Sequence, residues 1–137
     1  MQNALGFAIS RSATLRQMVA SLRERHAIVY VRWNPLLPRL VQGAVLPRVV
    51  VGGEARYLWI DLRPDELSDR LIAVIAHEAQ HVLEILDSGL EDSAAITLMY
   101  RRLSGNAHTH RYDTLAALNA GRNVALELKS NRIRTGG

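Results

Sequence analysis

The chain has 137 residues, of which 48% are hydrophobic and 22% are charged, as in one globular domain. This composition excludes collagen-like repeats and disorder. No run of about 20 apolar residues that could span a bilayer is present in the sequence. Without cysteine it forms neither disulfides nor thiolate metal sites, so any metal must be bound by His, Asp or Glu. The formal net charge is +4, but basic residues are spread along the chain and are not interleaved with aromatic ones, so no specific nucleic-acid partner is expected.

The first predicted element is a helix. Apolar residues recur at helical spacing from Arg11 to His26, and Ser12 or Thr14 can cap the helix at its start. Residues 1–10 are expected to be frayed. They lack the features of a secretory signal, so the default location is the cytoplasm, although an exported mature domain would have the same sequence.

Three strands are predicted next, from runs rich in β-branched and aromatic residues. In the last of them Tyr57 and Trp59 alternate with Leu58 and Ile60, which indicates that one face of the strand contacts solvent. Residues 36–42, between the first two strands, are expected to form a loop. The predicted strands are Ala27–Trp33, Val45–Val51 and Arg56–Leu62.

Three helices complete the chain. The first begins at Pro64-Asp65-Glu66, ends at Gly89 and is apolar nearly all round, so it is expected to be the buried central helix. Asp92 is the expected N-cap of the next helix. That helix is predicted at Ser93–Leu103, and the last helix is predicted at Tyr112–Lys129. Residues 130–137 are expected to be frayed.

The order of the predicted elements indicates the fold class. One helix, three strands and three helices predict a single α+β domain over residues 1–137. Its small antiparallel or mixed sheet is expected to pack on the central helix, with the other helices around it.

The central helix carries the motif His77-Glu78-Ala79-Gln80-His81. Residues four apart project from one face of a helix, so both imidazoles can reach one zinc ion at roughly 2.0–2.1 Å. Glu78 is offset by one residue, which places it to take a proton from a metal-activated water. The motif therefore predicts a zinc site with His77 and His81 as ligands and Glu78 as general base. In the alternative, the histidines are satisfied core residues and Glu78 faces solvent.

A family resemblance rests on this motif. The segment Leu71–Leu86 resembles the active-site helix of the zincin metallopeptidases. Arg11–Thr14, Arg56–Leu58 and Tyr112–Thr114 resemble segments of small, uncharacterised bacterial zincins. The resemblance implies a zincin-like minimal catalytic domain that binds Zn²⁺ and hydrolyses a peptide or protein substrate.

The third zinc ligand is open at this stage. Asp113 is preferred, because glutamate-zincins supply their third ligand from a separate helix beyond the motif, although the small zincins have Glu there. Asp87 lies where metzincins place their third ligand, but Glu84 stands in place of the glycine that turns their chain. Asp92 matches the spacing of aspartate-zincins without their glycine-threonine motif, and it is also explained as an N-cap.

Other polar residues are weaker candidates. His108 and His110 precede Asp113 and could replace it, or could bind substrate. Glu84 shares the histidine face of the helix and is better placed to orient a ligand than to be one. Tyr100 and Tyr112 could donate a hydrogen bond to an oxyanion, although packing explains each of them as well.

Two functional alternatives remain beside a zinc peptidase. One is a catalytically weak or inactive module that keeps the fold and binds or regulates a partner. The other is a nucleic-acid-associated protease that uses the basic surface. For a peptidase, the strand at Tyr57–Asp61 is expected to be an edge strand that binds an extended peptide by strand addition.

Overall fold

The computed structural model describes residues 2–104 and 113–135. In this part of the chain, five helices and four strands form an α+β fold. In chain order they are α1 (Gln2–Arg11), α2 (Ala13–Glu24), β1 (Ala27–Trp33), β2 (Gly43–Val45), β3 (Val50–Gly52), β4 (Ala55–Leu62), α3 (Asp69–Ser88), α4 (Ser93–Ser104) and α5 (Leu115–Thr135).

The four strands form a mixed sheet with β4 at its centre. β1 pairs with β4 in parallel along its whole length, from Ala27 opposite Arg56 to Trp33 opposite Leu62. β2 and β3 both pair antiparallel to β4, on its other edge. The expectation that Tyr57–Asp61 is an edge strand is therefore wrong, because both edges of β4 are already hydrogen-bonded.

The predicted strand Val45–Val51 is divided into β2 and β3. Pro47 has no N–H to donate to the sheet, so it interrupts the ladder. The amide of Arg48 then turns back to the carbonyl of Leu46 at 2.7 Å, and the amide of Val49 donates to the carbonyl of Glu91 at 3.4 Å. These contacts explain why the structure has four strands and not three.

The outer face of β4 is not the solvent-exposed face that its alternation predicts. Tyr57 and Trp59 are half-buried, and Asp61 is buried. The Asp61 carboxylate accepts hydrogen bonds from Arg32 at 2.5 Å and from Asn34 at 2.9 Å. Burial alone would raise the pKa of Asp61, but these hydrogen bonds outweigh it and lower the pKa. Asp61 is thus a structural ion-pair residue.

The central helix α3 begins later than predicted. Ser68 is its N-cap and accepts a hydrogen bond from the amide of Leu71, so the helix begins at Asp69 rather than at Pro64. Its end is as predicted, with Gly89 in the left-handed conformation that favours glycine. Eleven of its residues are buried, which confirms its central position.

Both predicted frayed ends are helical where the structure describes them. α1 packs on the core through the buried Ala8 and the partly buried Leu5 and Ile9. α5 extends to Thr135, and in its last turn Arg132 forms an ion pair with Asp69 of α3 at 2.9 Å. Packing on the core and an ion pair with α3 thus order two segments whose local sequence indicates little structure.

β4 and α5 contribute much of the core that packs on α3. Leu58, Ile60 and Leu62 of β4 are almost completely buried and point towards it. α5 packs along the same helix and contributes Val124 and Leu128. Among the helices of residues 2–104 and 113–135, none is long and apolar enough to cross a membrane.

Candidate metal centre

The histidines of the central motif meet the start of α5 at one point. His77 Nε2 lies 2.9 Å from Asp113 Oδ1, and His81 Nε2 lies 4.0 Å from the same oxygen. One potential ligand atom from each residue falls within 4.8 Å of the others. Tetrahedral zinc with bonds of roughly 2.0–2.1 Å separates its ligand atoms by about 3.3 Å. The observed distances bracket this value, so the three side chains suit a zinc ion.

The position of Asp113 depends on close packing between α3 and α5. A Cβ added at Gly121 would lie 3.2 Å from the carbonyl oxygen of Ala73 and 3.4 Å from His77 Cβ. Glycine at this position therefore lets the two helices approach beside His77. Because α5 passes so close, Asp113, two residues before its start, reaches the histidines even though aspartate is a short side chain.

Glu84 links His81 to the N-terminus of α5. Glu84 Oε1 lies 3.4 Å from His81 Nδ1, without the alignment of a hydrogen bond. The same carboxylate accepts a hydrogen bond of 2.5 Å from the Thr114 hydroxyl, which in turn accepts one from the amide of Ala117. Thr114 is therefore the cap of α5, and its bond to Glu84 fixes the neighbouring Asp113 near His81.

The second ring nitrogen of His81 supports a metal role. His81 Nδ1 is a buried atom that makes no hydrogen bond to any described residue. Metal bound at Nε2 would leave the ring hydrogen on Nδ1, 3.4 Å from the Glu84 carboxylate, and metal-bound histidines usually have such a carboxylate partner. A small adjustment of either side chain would then let the Nδ1 hydrogen bond to Glu84, which would satisfy a nitrogen that is otherwise buried at a cost.

His77 is also suited to bind a metal in its neutral form. Burial lowers its pKa, the nearby His81 lowers it further, and Asp113 acts in the opposite direction. The net effect is a lowered pKa, so the imidazole is unprotonated more readily than a free histidine. Only the neutral ring offers a nitrogen lone pair to a cation.

Glu78 is buried beside this cluster, on the side of the sheet. Burial is the main cause that raises the pKa of Glu78 to about 7; the charge of His81 lowers the pKa, and the charge of Asp113 adds to the effect of burial. The backbone amide of Val45 donates a hydrogen bond to its carboxylate and acts in the opposite direction. A carboxyl group with a pKa near 7 can both accept and release a proton at neutral pH.

β2 lies close enough to hold Glu78 because it begins with glycine. A Cβ at Gly43 would stand 2.7 Å from Val74 Cγ1 and 3.3 Å from Glu78 Cγ. No larger residue fits there without displacing its neighbours. Gly43 thus permits the contact between β2 and α3 that brings the Val45 amide to Glu78.

The other predicted ligands lie elsewhere. Asp87 forms an ion pair with Arg25 at 2.6 Å on the surface. Asp92 caps α4 by accepting a hydrogen bond of 3.0 Å from the amide of Ala95. His108 and His110 lie outside the described residues. Among the residues that the structure describes, Asp113 is thus the predicted carboxylate that meets both histidines.

The two candidate oxyanion donors are Tyr100 and Tyr112. Tyr112 lies outside the described residues. The Tyr100 hydroxyl donates a hydrogen bond of 3.0 Å to the carbonyl of His81, and its ring meets the His81 ring edge-on at 5.3 Å. Burial raises the pKa of this phenol well above its usual range. Tyr100 therefore supports the backbone and ring of His81 and stays protonated.

A cleft of about 870 Å³ opens over this centre. His77, Glu78, His81 and Asp113 all line it. β2 forms one wall and α5 forms part of the other. The cleft is large enough for several residues of an extended chain, so it gives a substrate access to the cluster.

Three residues of this arrangement are not indicated by the sequence motif. Gly43 and Gly121 permit close approaches, and Thr114 connects Glu84 to α5. Each role depends on contacts with residues far away in the chain, and the only local signals are the two glycines and a threonine in the first turn of a predicted helix. Comparisons of the chain with models of known families, with curated proteins and with solved structures give no match.

Proposed function

We propose that the protein is a zinc-dependent hydrolase that cleaves peptide bonds. The observation that carries this proposal is the convergence of His77 Nε2 and His81 Nε2 on Asp113 Oδ1, beside the buried carboxyl group of Glu78. Two nitrogens and one carboxylate oxygen are a ligand set that zinc hydrolases use, and such a set leaves a coordination position open.

The chain's own residues divide the work in this proposal. His77, His81 and Asp113 hold the ion, and Glu84 orients His81 through Nδ1. Bound zinc supplies a Lewis acid that polarises a water molecule and the substrate carbonyl. Glu78 accepts a proton on its carboxylate and then delivers it to the leaving amine.

The substrate is proposed to lie along β2. The residues of β2 line the cleft, and β4 occupies one edge of the strand. Among the described residues no strand pairs with its other edge. An extended peptide could add there by backbone hydrogen bonds, directly over Glu78. This placement replaces the one expected at Tyr57–Asp61.

The proposal is tested by Glu78→Gln, which keeps the size of the side chain and removes its basicity. We expect hydrolysis of a peptide library by the zinc-loaded protein to fall by at least ~10²-fold. Zinc content, measured by atomic absorption, should stay near one ion per chain because Glu78 is not a ligand. Glu54→Gln, an exposed change in the turn between β3 and β4, is the matched control.

Two results would contradict the proposal. A wild-type protein that binds zinc but cleaves no member of the library would be a binding module instead. Equal loss of zinc and activity in Glu78→Gln would mean that Glu78 is a ligand or a structural residue.

A further inference from the structure

Three arginines line the cleft that contains the candidate metal centre. They are Arg39 before β2, Arg70 in the first turn of α3 and Arg122 in α5. All three are exposed. The acidic residues that line the same cleft are Glu78 and Asp113, and both belong to the cluster described above.

The fold places Arg70 and Arg122 towards one end of the cleft, and the loop with Arg39 leads into Gly43, which packs on Val74, one turn from Arg70. Arg70 precedes His77 by about two helical turns, so it lies on the same side of α3. Arg122 follows Gly121, which packs on Ala73, one turn from Arg70. The loop with Arg39 is held by Arg63, whose guanidinium donates to the carbonyls of the loop residues Leu37, Pro38 and Val41.

The opposite end of the cleft is apolar. Pro47 and Ile85 line it there, together with the ring of Tyr100. Ile85 follows His81 by one turn of α3, whereas Arg70 precedes His77. The metal centre therefore lies between a basic end and an apolar end.

The guanidinium groups at the basic end have no carboxylate partner among residues 2–104 and 113–135. The ion pairs of arginine in this part of the chain include those of Arg25, Arg32 and Arg132, and none is formed by Arg39, Arg70 or Arg122. The segment 105–112 contains no Asp or Glu. Within the described part of the chain these three positive charges are thus not paired with a carboxylate, and they lie in the cleft where the substrate is proposed to bind.

We propose that this cleft selects peptide segments that carry carboxylates on one side of the scissile bond. This preference rests on the peptidase function proposed above. The seven steps of helical rise from Arg70 to His77 span about 10 Å, and an extended peptide advances about 3.3 Å per residue. The favoured Asp, Glu or terminal carboxylate therefore lies about three residues from the bond that is cleaved, and the apolar end accepts apolar side chains.

The test measures binding, so that it does not depend on turnover. Zinc-loaded Glu78→Gln protein is titrated into a fluorescent ten-residue peptide with three acidic residues at one end, and into its Asn/Gln counterpart. Exposed ion pairs each contribute modestly, so two or three of them predict about tenfold tighter binding of the acidic peptide. The preference should weaken as salt is raised. The same titration without zinc isolates the arginine contribution from that of the metal.

The variant Arg70→Gln/Arg122→Gln should reduce this preference to about twofold or less, because two of the proposed ion pairs are gone. Arg23→Gln/Arg134→Gln removes the same charge from exposed positions outside the cleft and should keep the preference.

Equal binding of the two peptides, or equal loss of the preference in both double variants, would overturn the proposal. So would a single-stranded oligonucleotide that displaces the acidic peptide and binds more tightly through Arg70 and Arg122. Acidic-peptide binding without any hydrolysis by the wild type would support the acidic preference and refute the peptidase function.

Discussion

Glu84 is the residue that joins the two halves of the candidate metal centre. Its carboxylate faces His81 Nδ1 at 3.4 Å and accepts a short hydrogen bond from Thr114, next to Asp113. It therefore orients one proposed ligand directly and positions another through the start of α5. The interactions of a metal-bound histidine with such a carboxylate fix the ring and increase its basicity.

We expect Glu84→Gln to weaken zinc binding by about 10–100-fold, because the amide is a poorer partner for the His81 N–H. The affinity is measured by competition with a chromogenic chelator. Glu91→Gln, an exposed change in the loop after α3, is the control and should bind zinc like the wild type. Unchanged affinity in Glu84→Gln would mean that the carboxylate serves only to cap α5.

At the residue scale the sequence predicts much of the site. The spacing of His77 and His81 is local, and a helix alone brings both rings to one face. Asp113 could be proposed because it lies in the first turn of the predicted helix Tyr112–Lys129, and glutamate-zincins supply their third ligand from such a separate helix. The sequence cannot show that Asp87 is paired with Arg25, since that contact depends on how α2 packs beside α3. The zinc role of each residue remains a prediction.

At the scale of elements, the contact between β2 and α3 determines how Glu78 is held. β2 has only three residues, yet one of its amides bonds to the Glu78 carboxylate. The approach depends on Gly43, where a side chain would meet Val74 Cγ1 at 2.7 Å. A small displacement of β2 would therefore affect both the general base and the proposed peptide-binding edge.

We expect Gly43→Ala to lower the free energy of unfolding by about 1–3 kcal/mol, as overpacking does. Hydrolysis should fall as well, since β2 and Glu78 must separate. Gly6→Ala in α1 has nothing within 4 Å of the new Cβ and is the control. Its stability should stay equal or rise slightly because alanine favours helix over glycine.

The double variant Gly43→Ala/Val74→Ala provides a rescue. It removes the Val74 methyl groups that the new Cβ would meet, so part of the lost activity should return. Activity in Gly43→Ala equal to that of the wild type would show that β2 does not have to pack so closely. The free energy of unfolding is measured by chemical denaturation, and the activity is measured by peptide cleavage.

The elements themselves were predictable to different degrees. β1 and the end of α3 follow from local patterns, and Ser12 caps α2 as one of the two expected residues. The pairing of β1 and β4 could not be predicted, because alternation indicates a strand but not its neighbour or direction. The central position of β4 results from its pairing with β1, β2 and β3. Its own sequence does not indicate these neighbours, and for this reason the prediction of an edge strand is wrong.

At the scale of the whole molecule, the site lies where α3 meets the sheet on one side and α5 on another. The sheet contributes the environment of Glu78, α3 contributes the two histidines, and the segment that leads into α5 contributes Asp113. The α+β class follows from the order of elements. The relative placement of α3 and α5 depends on Gly121 and on long-range packing, which a sequence pattern does not reveal.

The central claim is that His77, His81 and Asp113 bind one zinc ion. The most direct measurement is the zinc affinity of Asp113→Asn, determined by chelator competition beside Asp92→Asn. Loss of a ligand should weaken binding by more than the ~100-fold upper range for a supporting residue. Asp92→Asn should bind zinc like the wild type, since Asp92 only caps α4. If Asp113→Asn binds zinc as tightly as the wild type, the proposed metal centre is wrong.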